Sequence, residues 1–130
     1  MRTYSVLLAD GHEAYRDGLA RAVAAHPRLE LVAEPADGRQ ALEDILRLEP
    51  DIAVLEVRMP RLDGLEVCDI LGGLDRPART RLALISGEVN ETLTAAATAM
   101  GLADVLDKDW TRSQLCERIA EIGDSAGFRD

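Results

Sequence analysis

The chain has 130 residues, room for one domain of ordinary size that buries roughly two-thirds of the surface its unfolded form exposes. It carries 15 Lys and Arg against 24 Asp and Glu, a net charge of −9 that repels phosphate backbones and anionic lipid surfaces. The balance of 47% hydrophobic and 30% charged residues is that of a soluble globule, with no need of a disulfide or structural metal.

Short apolar runs alternate with longer stretches of helical spacing. Residues 6–9 form the first strand candidate, and Asp10 with Glu13 beyond it has the spacing of a helix capping box. Pro27 and Gly38 bracket a second strand at Leu29–Ala33. Ala41, Leu42, Ile45 and Leu46 then make one helical stripe. Pro50-Asp51 opens a third strand over 52–55, and Pro60 and Gly64 mark the loop after it. Gly72-Gly73 and Pro77 separate the third helix from a strand at 82–85. A stripe of Leu93, Ala96, Ala97 and Met100 follows, then a strand at 103–106. Leu115, Ile119 and Ile122 recur at i, i+4, i+7, and residues 123–130 lack apolar periodicity, so they are expected as a tail or the start of a linker.

Mostly continuous apolar strands suit a sheet covered on both faces, and repeated β-α units imply right-handed crossovers. The expectation is a doubly wound α/β fold with a five-stranded parallel sheet. Cys68 and Cys116 fall in helical stretches without metal-type spacing and are expected as reduced core thiols. No signal peptide and no bilayer-spanning apolar stretch is visible, so a cytoplasmic location is expected.

Ligands of such sheets bind beyond the carboxyl ends of the strands, where the strand order reverses. The residues there are Asp10, Glu34, Glu56, Ser86 and Asp107-Lys108. An order of 2-1-3-4-5 selects Asp10 and Glu56 and leaves Glu34 at an edge. Each residue alone has a plain structural reading, Ser86-Gly87 as a turn pair and Lys108 as a loop charge. Their joint placement after different strands favours a common pocket for a cation and an oxyanion. His12 and His26 lack partners at metal-ligand spacing and are taken as incidental.

From Tyr4 to Ile122 the chain resembles the receiver domain of bacterial response regulators, giving a domain at 1–122 and a tail or linker at 123–130. The resemblance rests on Leu7-Leu8-Ala9-Asp10-Gly11-His12, on Pro50-Asp51 through Glu56 to Met59-Pro60, on Leu62-Asp63-Gly64-Leu65-Glu66, and on Ser86-Gly87 and Lys108. It implies the flavodoxin-like order 2-1-3-4-5. In the family, two adjacent acids after strand one and an aspartate ending strand three bind Mg²⁺. A histidine kinase phosphorylates that aspartate, and a hydroxyl and a lysine grip the phosphoryl oxygens. Asp10 as residual metal ligand, Ser86 and Lys108 match these roles.

Two positions depart from the pattern. Gly11 stands where the second acid belongs, and Glu56 stands at the phosphoacceptor position. Glutamate carries its carboxylate about one C–C bond, roughly 1.5 Å, further than aspartate. Mg²⁺ demands near-ideal octahedral geometry and in-line transfer tolerates little displacement. Mg²⁺ binding is therefore expected to be weak or absent, with no other cofactor, and phosphorylation lost or impaired. The longer arm suggests that Glu56 reaches Lys108 and the Ser86 hydroxyl in place of a phosphoryl group. Val105 occupies the strand-five switch position where relatives carry an aromatic residue, and Asp109 follows Lys108 through an expected trans bond.

The resemblance points to a non-enzymatic regulatory domain of a two-component transcription regulator, a pseudo-receiver acting through protein partners. A homodimer through the fourth helix and fifth strand is one such partnership, with DNA contacted only through an attached output domain. A second reading keeps a working phosphorelay receiver with Asp10 or Ser86 as acceptor and Glu13 repairing the metal site. A third, a flavodoxin-like ligand-binding or enzymatic domain, is disfavoured because no glycine-rich phosphate loop follows strand one. Trp110, two residues past Lys108, is expected to report on the pocket by its fluorescence.

Overall fold

The computed structural model describes residues 2–75 and 79–127. Five strands, β1 (Tyr4–Ala9), β2 (Leu29–Ala33), β3 (Ile52–Glu56), β4 (Arg81–Ser86) and β5 (Asp104–Asp107), form one parallel sheet in the order β2-β1-β3-β4-β5. Between and after them run α1 (Glu13–Ala25), α2 (Gly38–Leu48), α3 (Gly64–Gly72), α4 (Glu91–Ala99) and α5 (Arg112–Gly127). This is the expected fold and strand order.

Side chains alternate across a strand, so each central strand feeds two cores. Val6, Leu8, Ile52, Val54 and Ile85 pack against Leu19 and Val23 of α1 and Leu115 and Ile119 of α5. Leu7, Ala9, Ala53, Leu55 and Leu84 pack on the other face against α2, α3 and α4, through residues such as Ile45, Val67 and Leu93. Every residue of β3 is buried, which explains why its sequence is a continuous apolar run that ends abruptly in Glu56. Cys68 and Cys116 sit one in each core as free thiols, and burial pushes the Cys68 thiol up to about 12.

Helix starts follow the local chemistry. Asp37 and Asn90 cap α2 and α4 by accepting from the amides of Gln40 and Leu93. Asp63 and Glu66 form a reciprocal capping box on α3. Gly64 sits so close to the Glu56 carbonyl that a β-carbon there would collide with it, and this packs α3 against the end of β3. The capping box anticipated at Asp10 and Glu13 does not form: the N-cap of α1 is His12, with no side-chain cap bond, while Asp10 turns inward.

The expected boundary at Ile122 needs correction. Helix α5 runs on to Gly127, and Gly123 lies against the Tyr4 ring where a β-carbon would clash. Asp124 accepts from the Tyr4 hydroxyl at 2.7 Å and pairs with Arg28. The periodicity ends at Ile122 because the next contacts use a glycine and an acid rather than apolar side chains. Pro77 and residues 128–130 lie outside the described residues.

Candidate functional site

Asp10, Glu56 and Lys108 converge at the carboxyl ends of β1, β3 and β5. Asp10 follows β1 directly and is wholly buried, its amide held by the Pro35 carbonyl at 3.2 Å. Its Oδ1 accepts from the His12 amide at 2.8 Å, a tight turn that swings the chain into α1. Glu56, also buried, accepts from the Gly11 amide at 3.2 Å through Oε1. Lys108, anchored by its amide to the Ser86 carbonyl at 3.0 Å, extends back over the sheet end.

The Lys108 ammonium closes the cluster. Nζ lies 2.6 Å from Glu56 Oε2 and 2.8 Å from Asp10 Oδ2, and it sits 4.5 Å from the centroid of the Tyr15 ring. Burial raises the Asp10 carboxyl, but its bonds with Glu56, Lys108 and the His12 amide outweigh that and hold it below the ordinary value. Glu56 moves the opposite way: burial, then its bond with Asp10, raises it despite Lys108. Tyr15 is pushed up to about 12 by burial and by the Asp10 charge.

The reach of Glu56 toward Lys108 is present, but the reach toward Ser86 is not. Among the described residues no hydrogen bond joins the two; Ser86 Oγ accepts from the Glu88 amide at 3.0 Å instead. Both do line one cavity of about 190 Å³ with His12, Arg58, Gly87, Glu88 and Lys108. The peptide after Lys108 is trans. Val105 is half-buried and packs on the α2-α3-α4 core, and Trp110 is exposed and outside the cavity lining.

His12 was undervalued by its spacing. Its Nδ1 lies 3.4 Å from Asp10 Oδ1 and 3.3 Å from Glu56 Oε2, so it belongs to the cluster. The signal available in the sequence was its place two residues past Asp10, inside the turn that Asp10 makes. Tyr15 gave no comparable signal, because its ring meets Lys108 only through the fold. His26 instead joins α1 to α5, 2.9 Å from Glu117 Oε2.

The Mg²⁺ expected of such a site does not fit these residues. Gly11 offers no acid, and each carboxylate oxygen of Asp10 and Glu56 already faces an amide or the Lys108 ammonium. Glu13, which opens α1, is exposed and is not among the groups that converge.

The fold is a doubly wound α/β domain that gathers two acids and a lysine at the carboxyl ends of β1, β3 and β5. Residues 6–120 match the response regulator receiver domain family, to which the chain belongs. It is 34% identical over 116 residues to a probable transcriptional regulatory protein NarL of Mycobacterium tuberculosis, covering 89% of this chain and 53% of that protein. Identity is 29% over 125 residues to the DNA-binding transcriptional activator DevR/DosR of the same species, covering 96% of this chain and 57% of the relative. The chain thus spans about half the length of these relatives. The solved receiver domain of the M. tuberculosis NarL superposes with a TM-score of 0.87 at 32% identity, covering 99% of this chain and 100% of that one. A likeness to protein-glutamate methylesterases covers only about a third of their length, as for the Geobacillus kaustophilus protein, 34% identical over 110 residues, 83% of this chain and 31% of that protein. No helix among the described residues is long and apolar enough to cross a membrane.

Proposed function

We propose that this chain is a receiver-type regulatory domain that works without a phosphoryl switch, as a pseudo-receiver and not as an enzyme. The observation that carries the reading is the 2.6 Å contact from Lys108 Nζ to Glu56 Oε2. The lysine that would grip a transferred phosphoryl group is already engaged by the longer carboxylate. Glu56 supplies one negative charge where phosphoaspartate carries about −1.5 to −2, so the mimicry is partial and biases the domain toward an active-like arrangement.

The half-length match to transcription regulators supports an output domain on the whole protein, with DNA contacted there and not by this acidic domain, in the cytoplasm. Protein partners fit best, a second copy through α4 and β5 among them. Val105 in place of an aromatic side chain removes a ring-flip switch on that face.

Incubation with a small-molecule phosphodonor and Mg²⁺, followed by intact mass, tests the proposal. An unmodified mass is expected, and a stable acylphosphate on Glu56 would overturn it. Peptide mapping addresses an alternative acceptor: Ser86 lines the cavity beside Lys108, whereas Asp10 is fully buried and ion-paired. In the full-length protein, Glu56→Ala should change assembly state or partner affinity; no change in either would refute the mimicry.

A further inference from the structure

We propose that a cavity between α3 and α4, at the end of the sheet opposite the acid cluster, binds a small apolar amine. The cavity has a volume of about 400 Å³, within the range of small-molecule sites. Cys68 and Leu71 of α3, Leu82 of β4 and Leu102 before β5 supply apolar walls. Leu82 and Leu102 belong to the α2-α3-α4 core yet are only half-buried, so core-type surface is left open there. Leu74 and Met100, which also line it, are exposed.

The polar groups of the cavity favour a positively charged donor. Helix α3 ends at Gly72 and α4 at Ala99, and Gly72, Met100 and Gly101 all line the cavity. A helix leaves its final carbonyls short of partners and its C-terminal end partly negative. Neither last turn carries a basic residue to offset that charge. Arg81 is the one charged residue lining the cavity among those described, and its side chain belongs to the other face. It alternates in step with Ala83 and Ile85, which pack toward α1 and α5, and it lines a small cavity with Arg118 and Glu121 of α5. An independent observation comes from Thr80, which lines the same cavity and is 7% exposed. Its hydroxyl oxygen is buried without a hydrogen-bond partner among the described residues. Buried hydroxyls are nearly always bonded, so this oxygen is an acceptor open to an entering group.

A molecule with one ring or short chain and one ammonium matches both halves. Its apolar part would lie on Leu71, Leu82 and Leu102, with the ammonium at the helix ends, donating to Thr80. A carboxylate of the same shape would meet negative helix ends on a chain of net charge −9. Helix α4 forms one wall and leads through Gly101 into β5, so occupancy acts on the α4 and β5 face. A role as the input that replaces phosphorylation rests on the pseudo-receiver reading; the binding itself does not.

Titration of the ¹⁵N-labelled chain with benzylamine and, separately, phenylacetate, followed by amide NMR shifts, tests the site. Benzylamine should move the amides of Leu71, Gly72, Gly101 and Leu102 saturably, and phenylacetate should not. Thr80→Val removes only the unpartnered hydroxyl and should weaken benzylamine binding roughly two- to tenfold with thermal stability kept. At Gly72 an added β-carbon meets nothing within 4 Å, so Gly72→Leu keeps the fold, fills space at the cavity and should abolish the saturable shifts. No saturable movement at these amides, an equal response to phenylacetate, or unchanged affinity in both variants would overturn the proposal. Its failure is separable from that of the phosphorylation reading, since one is read by amide shifts with an amine and the other by mass with a phosphodonor.

Discussion

Two charged networks hold opposite ends of this domain, and they use the same bond types in different surroundings. At the carboxyl ends of the strands, Asp10, Glu56 and Lys108 are 0%, 6% and 12% exposed. At the other end, Arg28 and the Tyr4 hydroxyl hold Asp124, which is 50% exposed, while His26 reaches Glu117 along the α1-α5 seam. Water can replace a lost partner in the second network. In the first the side chains are almost wholly buried, so each deletion leaves a charge with little access to water. Burial, not the number of contacts, decides what each network is worth.

The largest effect that would break this comparison comes from Lys108→Met. It leaves two buried carboxylates without their cation and should cost about 3–5 kcal/mol by denaturant unfolding. A loss no greater than that of a surface pair would mean that water reaches the cluster.

The pH dependence sharpens the same contrast. Asp10 is held below its ordinary 3.8, so its contribution is complete above that pH and is lost as pH falls through its lower folded value. Glu56 is raised above its ordinary 4.5, so the folded chain binds the extra proton and stability declines as pH climbs from 4.5 through the folded value. Unfolding free energies measured across this range should therefore peak at mildly acidic pH, and Glu56→Gln should remove the decline above it.

Asp63→Ala is next in size. It deletes the reciprocal cap of α3, with an expected loss of about 1 kcal/mol by thermal melting. Smaller still is Arg28→Ala, whose effect should fade with added salt because Asp124 is open to solvent. An Arg28→Ala loss that persists at high salt would erase the distinction between the two networks.

How far the sequence could be read depended on the range of the interaction. The strands showed themselves because β3 and β1 are buried on both faces, which demands unbroken apolar runs such as Ile52 to Leu55. Asp10, Glu56 and Lys108 showed themselves because each ends or directly follows a strand. His12 and Tyr15 did not, since their roles depend on side-chain directions set by the turn at Asp10 and the first turn of α1. Ser86 lines the cavity with Glu56 and Lys108, but among the described residues no hydrogen bond joins its hydroxyl to Glu56, and its oxygen accepts from the Glu88 amide. The end of α5 was missed because a helix packed through Gly123 and Asp124 carries no apolar stripe there.

That last turn of α5 has a consequence for how the chain is made. The Tyr4 hydroxyl and Asp124 are 120 residues apart in sequence, and the Tyr4 ring is roofed by Gly123. On a growing chain, the first strand emerges from the ribosome long before its final cover exists. Closing so wide a loop is entropically slow to be rewarded. The domain therefore completes its core only after synthesis has passed Asp124, and a chain stopped at residue 122 would leave its first strand partly uncovered.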